Sequence, residues 1–177
     1  MFNMIHYNAI TDISFLEDQG DIIEPVLLTE AKDFCRIDIG TDDSLIISLI
    51  TTARLMCEAY TAVSMVDHEI EIVCNNSSGG IYLPYGPVKD VTSVTNSAGT
   101  GLVLDQTYTL QGSMFVRLLT PHEDGLTVAY TTGYSTLPEI FKTAILNAVY
   151  YLYDNRAQGT DNIGPIAKML LNPFRRV

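Results

Sequence analysis

The hydrophobic period switches twice along this chain of 177 residues, and the switches limit what it can fold into. Apolar side chains recur every three or four positions over residues 26–62, every second position through much of 66–133, and every three or four again over 138–171. The first spacing lines up one face of a helix and the second one face of a strand. A β segment with helices on both sides implies an α+β protein: a helical core of about four helices, with an antiparallel β lobe inserted between the second and third.

The predicted helices span 29–36, 42–62, 138–155 and 164–171. Thr29 is suited to cap the first, and Ala31, Phe34 and Cys35 repeat along it. Gly40 reads as its end. Thr41 or Asp42 caps the second, where Leu45, Leu49, Thr52, Ala53 and Met56 share a face that Ile46, Ile50, Cys57 and Tyr60 widen. So wide a stripe implies burial on two sides. The third opens with Pro138 and Glu139, both favoured at a helix N-terminus, and runs LPEIFKTAILNAVYYLYDNR with Phe141, Ala144, Ile145, Ala148, Val149 and Leu152 inward. The fourth is PIAKMLLN, ahead of Pro173.

Between them, VDHEIEIVC alternates strictly, with Val66, His68, Ile70, Ile72 and Cys74 on one side. Val91 and Val94 precede a glycine turn, TYTLQGSMFVRL reads as two strands joined at Gln111-Gly112, and GLTVAYTTGY is the last strand. These short strands predict an antiparallel sheet or small sandwich. Residues 1–25 form an N-terminal extension whose Ile5, Tyr7, Ile10, Ile13 and Phe15 suit a strand or two, and 26–177 form the main domain. The linker candidates are 17–25 and 157–164.

Composition narrows the function classes. An apolar fraction of 47% with 18% charged residues belongs to a folded chain. The N-terminus has no basic region ahead of an apolar run, so no signal peptide is expected. No window of about 18 apolar residues predicts a membrane span. Cys35, Cys57 and Cys74 are odd in number and never closer than seventeen positions, which suits reduced thiols in a cytosolic setting. The net charge is −11, and the ten basic residues are scattered apart from Arg175 and Arg176, which disfavours direct DNA binding.

No catalytic or metal motif emerges. His6, His68 and His122 lie far apart without ligand spacing. DIGTDDS fails as a calcium loop, because Gly40 and Leu49 stand where the loop needs ligands. Phosphate-binding and nucleophile motifs are missing, and the acid pairs Asp42/Asp43 and Glu123/Asp124 suit a helix cap and a turn. Neither an enzyme nor a cofactor is expected.

Surfaces remain. Tyr82, Pro84, Tyr85 and Pro87 set aromatics among turn residues. Tyr150, Tyr151 and Tyr153 cover almost a full helical turn, so one face cannot bury them all. Two readings stay open: they and Arg156 face a partner, or two tyrosines pack inward while Arg156 pairs with Asp154 or caps carbonyls. The C-terminal LLNPFRRV places Phe174, Arg175 and Arg176 beyond a helix-stopping proline.

The order of these pieces resembles the head–tail connector (adaptor) proteins of tailed double-stranded DNA bacteriophages. PVLLTEAKDFCRID and TDDSLIISLITTARLMCEAYT come first, then IYLPYGPVKDVTSV, LTVAYTTGYSTLPEIFKTAILNAVYYLYDNR and AKMLLNPFRR, covering most of 25–176. The resemblance implies a structural, non-enzymatic virion protein, assembled in the host cytoplasm. It would form a ring, commonly of twelve copies, beneath the portal, extend the DNA channel, and present a platform for a neck or tail-completion protein. Leu170, Leu171, Pro173, Phe174, Arg175 and Arg176 are then expected to contact the portal, and Tyr150, Tyr151, Tyr153 and Arg156 the neighbouring subunit. DNA would pass through an acidic lumen without specific binding. The alternative is a packaging accessory protein that contacts nucleic acid or the packaging motor, which would call for a basic patch.

Overall fold

The computed structural model describes residues 10–16, 22–75, 80–121, 125–156 and 162–175. Ile5, His6, Tyr7, the turn residues 76–79, His122, Glu123, Asp124, linker residues 157–161 and Arg176 lie outside them. The chain forms two compact units, each assembled from separated stretches of sequence. One is the helical core and the other the inserted antiparallel β lobe, so the architecture is α+β.

In the β unit, β1 (Ile10–Phe15), β2 (His68–Cys74), β4 (Val88–Asn96) and β7 (Leu126–Thr132) build an antiparallel sheet in the order β1-β2-β7-β4. The N-terminal segment thus contributes a strand to this unit, and the helical unit begins at Ile23. A second sheet, β3-β6-β5, contains β3 (Ile81–Tyr82), β5 (Thr109–Gln111) and β6 (Arg117–Leu119). Ile70, Ile72 and Cys74 of β2 stand opposite Tyr130, Val128 and Leu126 of β7. Both sets turn inward to meet Ile81, Leu83 and Leu118 in one apolar core. The Tyr130 hydroxyl donates to the Pro84 carbonyl at 3.0 Å, so that buried phenol is satisfied.

Two details differ from the sequence expectation. The β5–β6 connection takes in Gly112 and the four residues after it, because Gln111 pairs with Arg117. Strand β4 breaks register twice, near Asp90 and near Ser93, so its burial does not alternate.

The helical unit contains α1 (Leu28–Cys35), α2 (Asp43–Thr61), α3 (Glu139–Asp154), α4 (Gly164–Leu171) and a 3-10 turn at Asn172–Phe174. Helix α3 packs against α1, α2 and α4. Its Phe141, Ala144, Ile145, Ala148 and Val149 are fully buried, as are Ile46, Ala53 and Cys57 of α2. Capping departs from the sequence expectation. Thr29 lies inside α1, and the Glu30 carboxylate instead reaches back to accept the Leu27 N–H at 2.8 Å. Helix α1 stops at Cys35, with Arg36 in the left-handed region, so Gly40 is not its terminator. Ala62 ends α2 in the same way, at φ 56°.

Ion pairs tie these helices together. Lys32 of α1 meets Asp43 of α2 at 2.6 Å, and Lys142 of α3 meets Glu30 of α1 at 2.6 Å. Deeper lies Arg54, fully buried on α2. Its Nε and Nη2 donate to Glu24 at 2.9 and 3.2 Å, and its Nη1 donates to Glu58 at 2.8 Å. Glu58 also accepts the Met65 backbone N–H at 2.7 Å. One guanidinium thus pins both the extended segment around Glu24 and the chain that leaves α2. Burial alone would favour a neutral Arg54, but the two carboxylates outweigh it and raise its pKa.

Candidate assembly surfaces

The end of α3 has an internal purpose. Asn155 Nδ2 donates to the Tyr151 carbonyl at 2.8 Å and Arg156 Nη1 to the Tyr153 carbonyl at 2.9 Å, so both side chains cap the last turn. The Arg156 guanidinium also lies 4.4 Å from the Tyr153 ring centre. The Tyr153 hydroxyl donates to Asp42 at 2.5 Å, which pushes that phenol's pKa up and joins the end of α3 to the start of α2. Asp42, expected as a side-chain cap, spends its carboxylate on this bond instead.

Tyr151 supports α4. Gly164 opens that helix at φ 79°, and a Cβ there would come within 2.6 Å of Tyr151 Cγ. The Asn162 side chain accepts the Gly164 N–H at 2.8 Å. Of the four residues expected at a subunit interface, Tyr151, Tyr153 and Arg156 are engaged within the unit. Tyr150, by contrast, is 48% exposed.

The C-terminal segment divides in a similar way. Leu171 is fully buried, which withdraws it from any partner in this conformation. The Phe174 ring lies 4.8 Å from Phe141, and the Arg175 guanidinium lies 5.1 Å from the Tyr60 ring centre. Pro173 and Arg175 remain exposed and Leu170 half-buried. In the β unit, YLPYGPV is also internally committed. Leu83, Pro84 and Gly86 are buried, Arg117 stacks over Tyr82 at 5.3 Å, and Tyr85 meets Phe15 edge-on.

Sequence reasoning missed two exposed, uncharged faces of the helical unit. On α4, Ile166 and Met169 are 53% and 68% exposed, next to exposed Pro165. On α2, Ser44, Ser48, Thr52, Leu55 and Ala59 form an outer face flanked by exposed Ile47. The only charged residues of α2 are Asp43, at its start, and Arg54 and Glu58, which are buried against each other. The signal present in the sequence was the absence of charge at these outer positions of α2. Among the described residues no group of three His, Cys, Asp or Glu is placed to hold a metal, and no helix is long and apolar enough to cross a membrane.

Charge is divided unevenly between the units. By sequence, residues 23–66 and 135–176 hold eight of the ten basic and ten of the 21 acidic side chains, a formal −2. The remaining two basic and eleven acidic side chains give the β unit −9.

Solved structures share this fold. A chain from the virion of a native gene transfer agent (GTA) particle matches with a TM-score of 0.75 at 19% identity, over 93% of this chain and 95% of that one. A chain from the neck of the empty GTA particle, computed with C6 symmetry, matches at 0.72 and 20% identity, over 94% and 96%. The fold is that of a GTA neck chain. A chain from the native neck, computed with C12 symmetry, matches at 0.64 and 17% identity, over 88% and 95%. No family model and no curated protein matches the chain. These neighbours come from phage-like particles, in keeping with the connector resemblance noted in the sequence.

Proposed function

We propose that this chain is a structural, non-catalytic neck subunit of a tailed, phage-like particle: a head–tail connector that closes into a ring beneath the portal. The ring extends the DNA channel and joins the capsid to the neck or tail. The observation that carries this reading is the end-to-end fold match, 88–94% of this chain on 95–96% of chains from GTA particles. The C12 symmetry of one of those necks supports a ring of twelve copies. Leu170, Pro173, Arg175 and Arg176 present the C-terminal segment to the portal, while Leu171 and Phe174 anchor it. Tyr150 lies toward a neighbouring subunit. The other end of the ring receives a neck or tail-completion protein.

With −11 per copy, the lumen repels phosphate and lets DNA slide. Strong duplex binding by the assembled ring at about 150 mM salt would contradict this, because contacts to phosphate strong enough to survive such screening need clustered cations. The decisive experiment is the mass of the purified chain with and without rings of the cognate portal protein. A portal-bound ring is expected. A chain that neither binds the portal nor forms a ring under any condition refutes the reading. Deleting residues 172–177 should weaken portal docking while the chain stays folded.

A further inference from the structure

We propose that the uncharged outer face of α2 is a subunit–subunit surface, and that it packs against the Ile166/Met169 face of α4 in the next copy. This rests on the ring reading above and specifies its interface.

A rotational ring needs two unlike patches, since each contact joins one surface of a copy to a different surface of its neighbour. The helical unit has such a pair on different helices. The α2 face is made mostly of small side chains, Ser44, Ser48, Thr52 and Ala59, beside Leu55 and Ile47. On the α4 face Ile166 and Met169 are 53% and 68% exposed. The unbranched side chain of methionine adapts its shape to the surface it meets.

Electrostatics favours a second copy as the occupant. Copies that each carry −11 repel one another, and association is least opposed where charge is lowest. The helical unit carries −2 of that total, and the outer face of α2 carries no charged side chain. Desolvating its hydroxyls is also cheap. Ser48 Oγ already donates to the Ser44 carbonyl at 3.0 Å, and Thr52 Oγ1 to the Ser48 carbonyl at 2.8 Å.

The test uses full-length chain with cognate portal rings, read by native mass spectrometry. Ser48→Lys/Thr52→Lys should abolish the ring even though it lowers the net negative charge, which separates a local contact from general repulsion. Ile166→Glu/Met169→Glu should abolish it as well. Both pairs of substitutions in one chain should restore rings, because lysine then faces glutamate across each contact. Mixing the two double variants should restore rings of alternating copies, since wild-type faces meet at one contact and lysine faces glutamate at the next. Circular dichroism and melting temperature should stay at wild-type values for all of them. Rings formed by either double variant, or no restoration in the combined chain, overturn the interface while leaving the neck reading standing. Failure of the wild-type chain to form rings or bind the portal overturns the neck reading itself.

Discussion

Replacing Arg54 by methionine tests how the helical unit is held together. The substitution keeps the apolar stem but removes three charge-assisted hydrogen bonds to Glu24 and Glu58. The Glu24 side chain is 22% exposed and can turn to water, whereas that of Glu58 is 5% exposed and stays buried without the cation that faces it. Stranding a buried carboxylate in this way costs about 3–5 kcal/mol. A typical folded chain has a total stability of about 5–15 kcal/mol, so the loss should be large and plain in urea unfolding at pH 7, followed by circular dichroism. Adding Glu58→Gln, which retains an acceptor for the Met65 N–H, should recover more than half the loss. A loss below about 1 kcal/mol would refute the view that charge pairing holds this site.

Gly164→Ala should cost about 2–4 kcal/mol, combining left-handed strain with displacement of the Tyr151 ring, while Gly101→Ala, with open space and no positive φ, should be neutral in the same melts. Thiol labelling at pH 8 should be confined to Cys35 in the folded chain, since burial pushes Cys57 to about 12 and Cys74 to about 11; all three should label in denaturant, and fast native labelling of Cys57 would contradict the packing of α2. Glu30 is held below its ordinary 4.5, first by the Leu27 N–H and then by Lys142. The bond's contribution is therefore complete above 4.5 and lost as pH falls through the lower folded value, so Glu30→Gln should be less stable than wild type at pH 7 and converge with it in acid.

Much of this fold was legible because some segments satisfy one rule without interruption. Strand β2 alternates over seven residues and pairs in simple register, so His68, Ile70, Ile72 and Cys74 could be assigned inward. Strand β4 could not, because two bulges move its side chains between faces. The start of α1 was misplaced because its cap comes from Glu30, three residues downstream. The ends of α1 and α2 rest on Arg36 and Ala62 in a conformation that neither residue type advertises. The burial of Arg54 was not legible, since its partners Glu24 and Glu58 become meaningful only once the chain has folded. For the surfaces, residue type alone did not separate Tyr150 from Tyr153. The partner of Tyr153 is Asp42, more than a hundred positions away.

The interleaving of the two units also sets an order on synthesis. The last strand of the β unit ends at Thr132, so all its strands have been made before α3 begins at Glu139. Until then α1 and α2 wait with Ile46, Ile50, Ala53 and Cys57 lacking the helix that buries them. A β unit that folds early shortens the effective tether between α2 and α3 and lowers the cost of bringing them together. It also carries most of the negative charge beside the uncovered helix pair in sequence, which discourages premature clumping among nascent chains. The inserted lobe thereby acts as a timer and a solubilising escort for the helices that close around it in sequence.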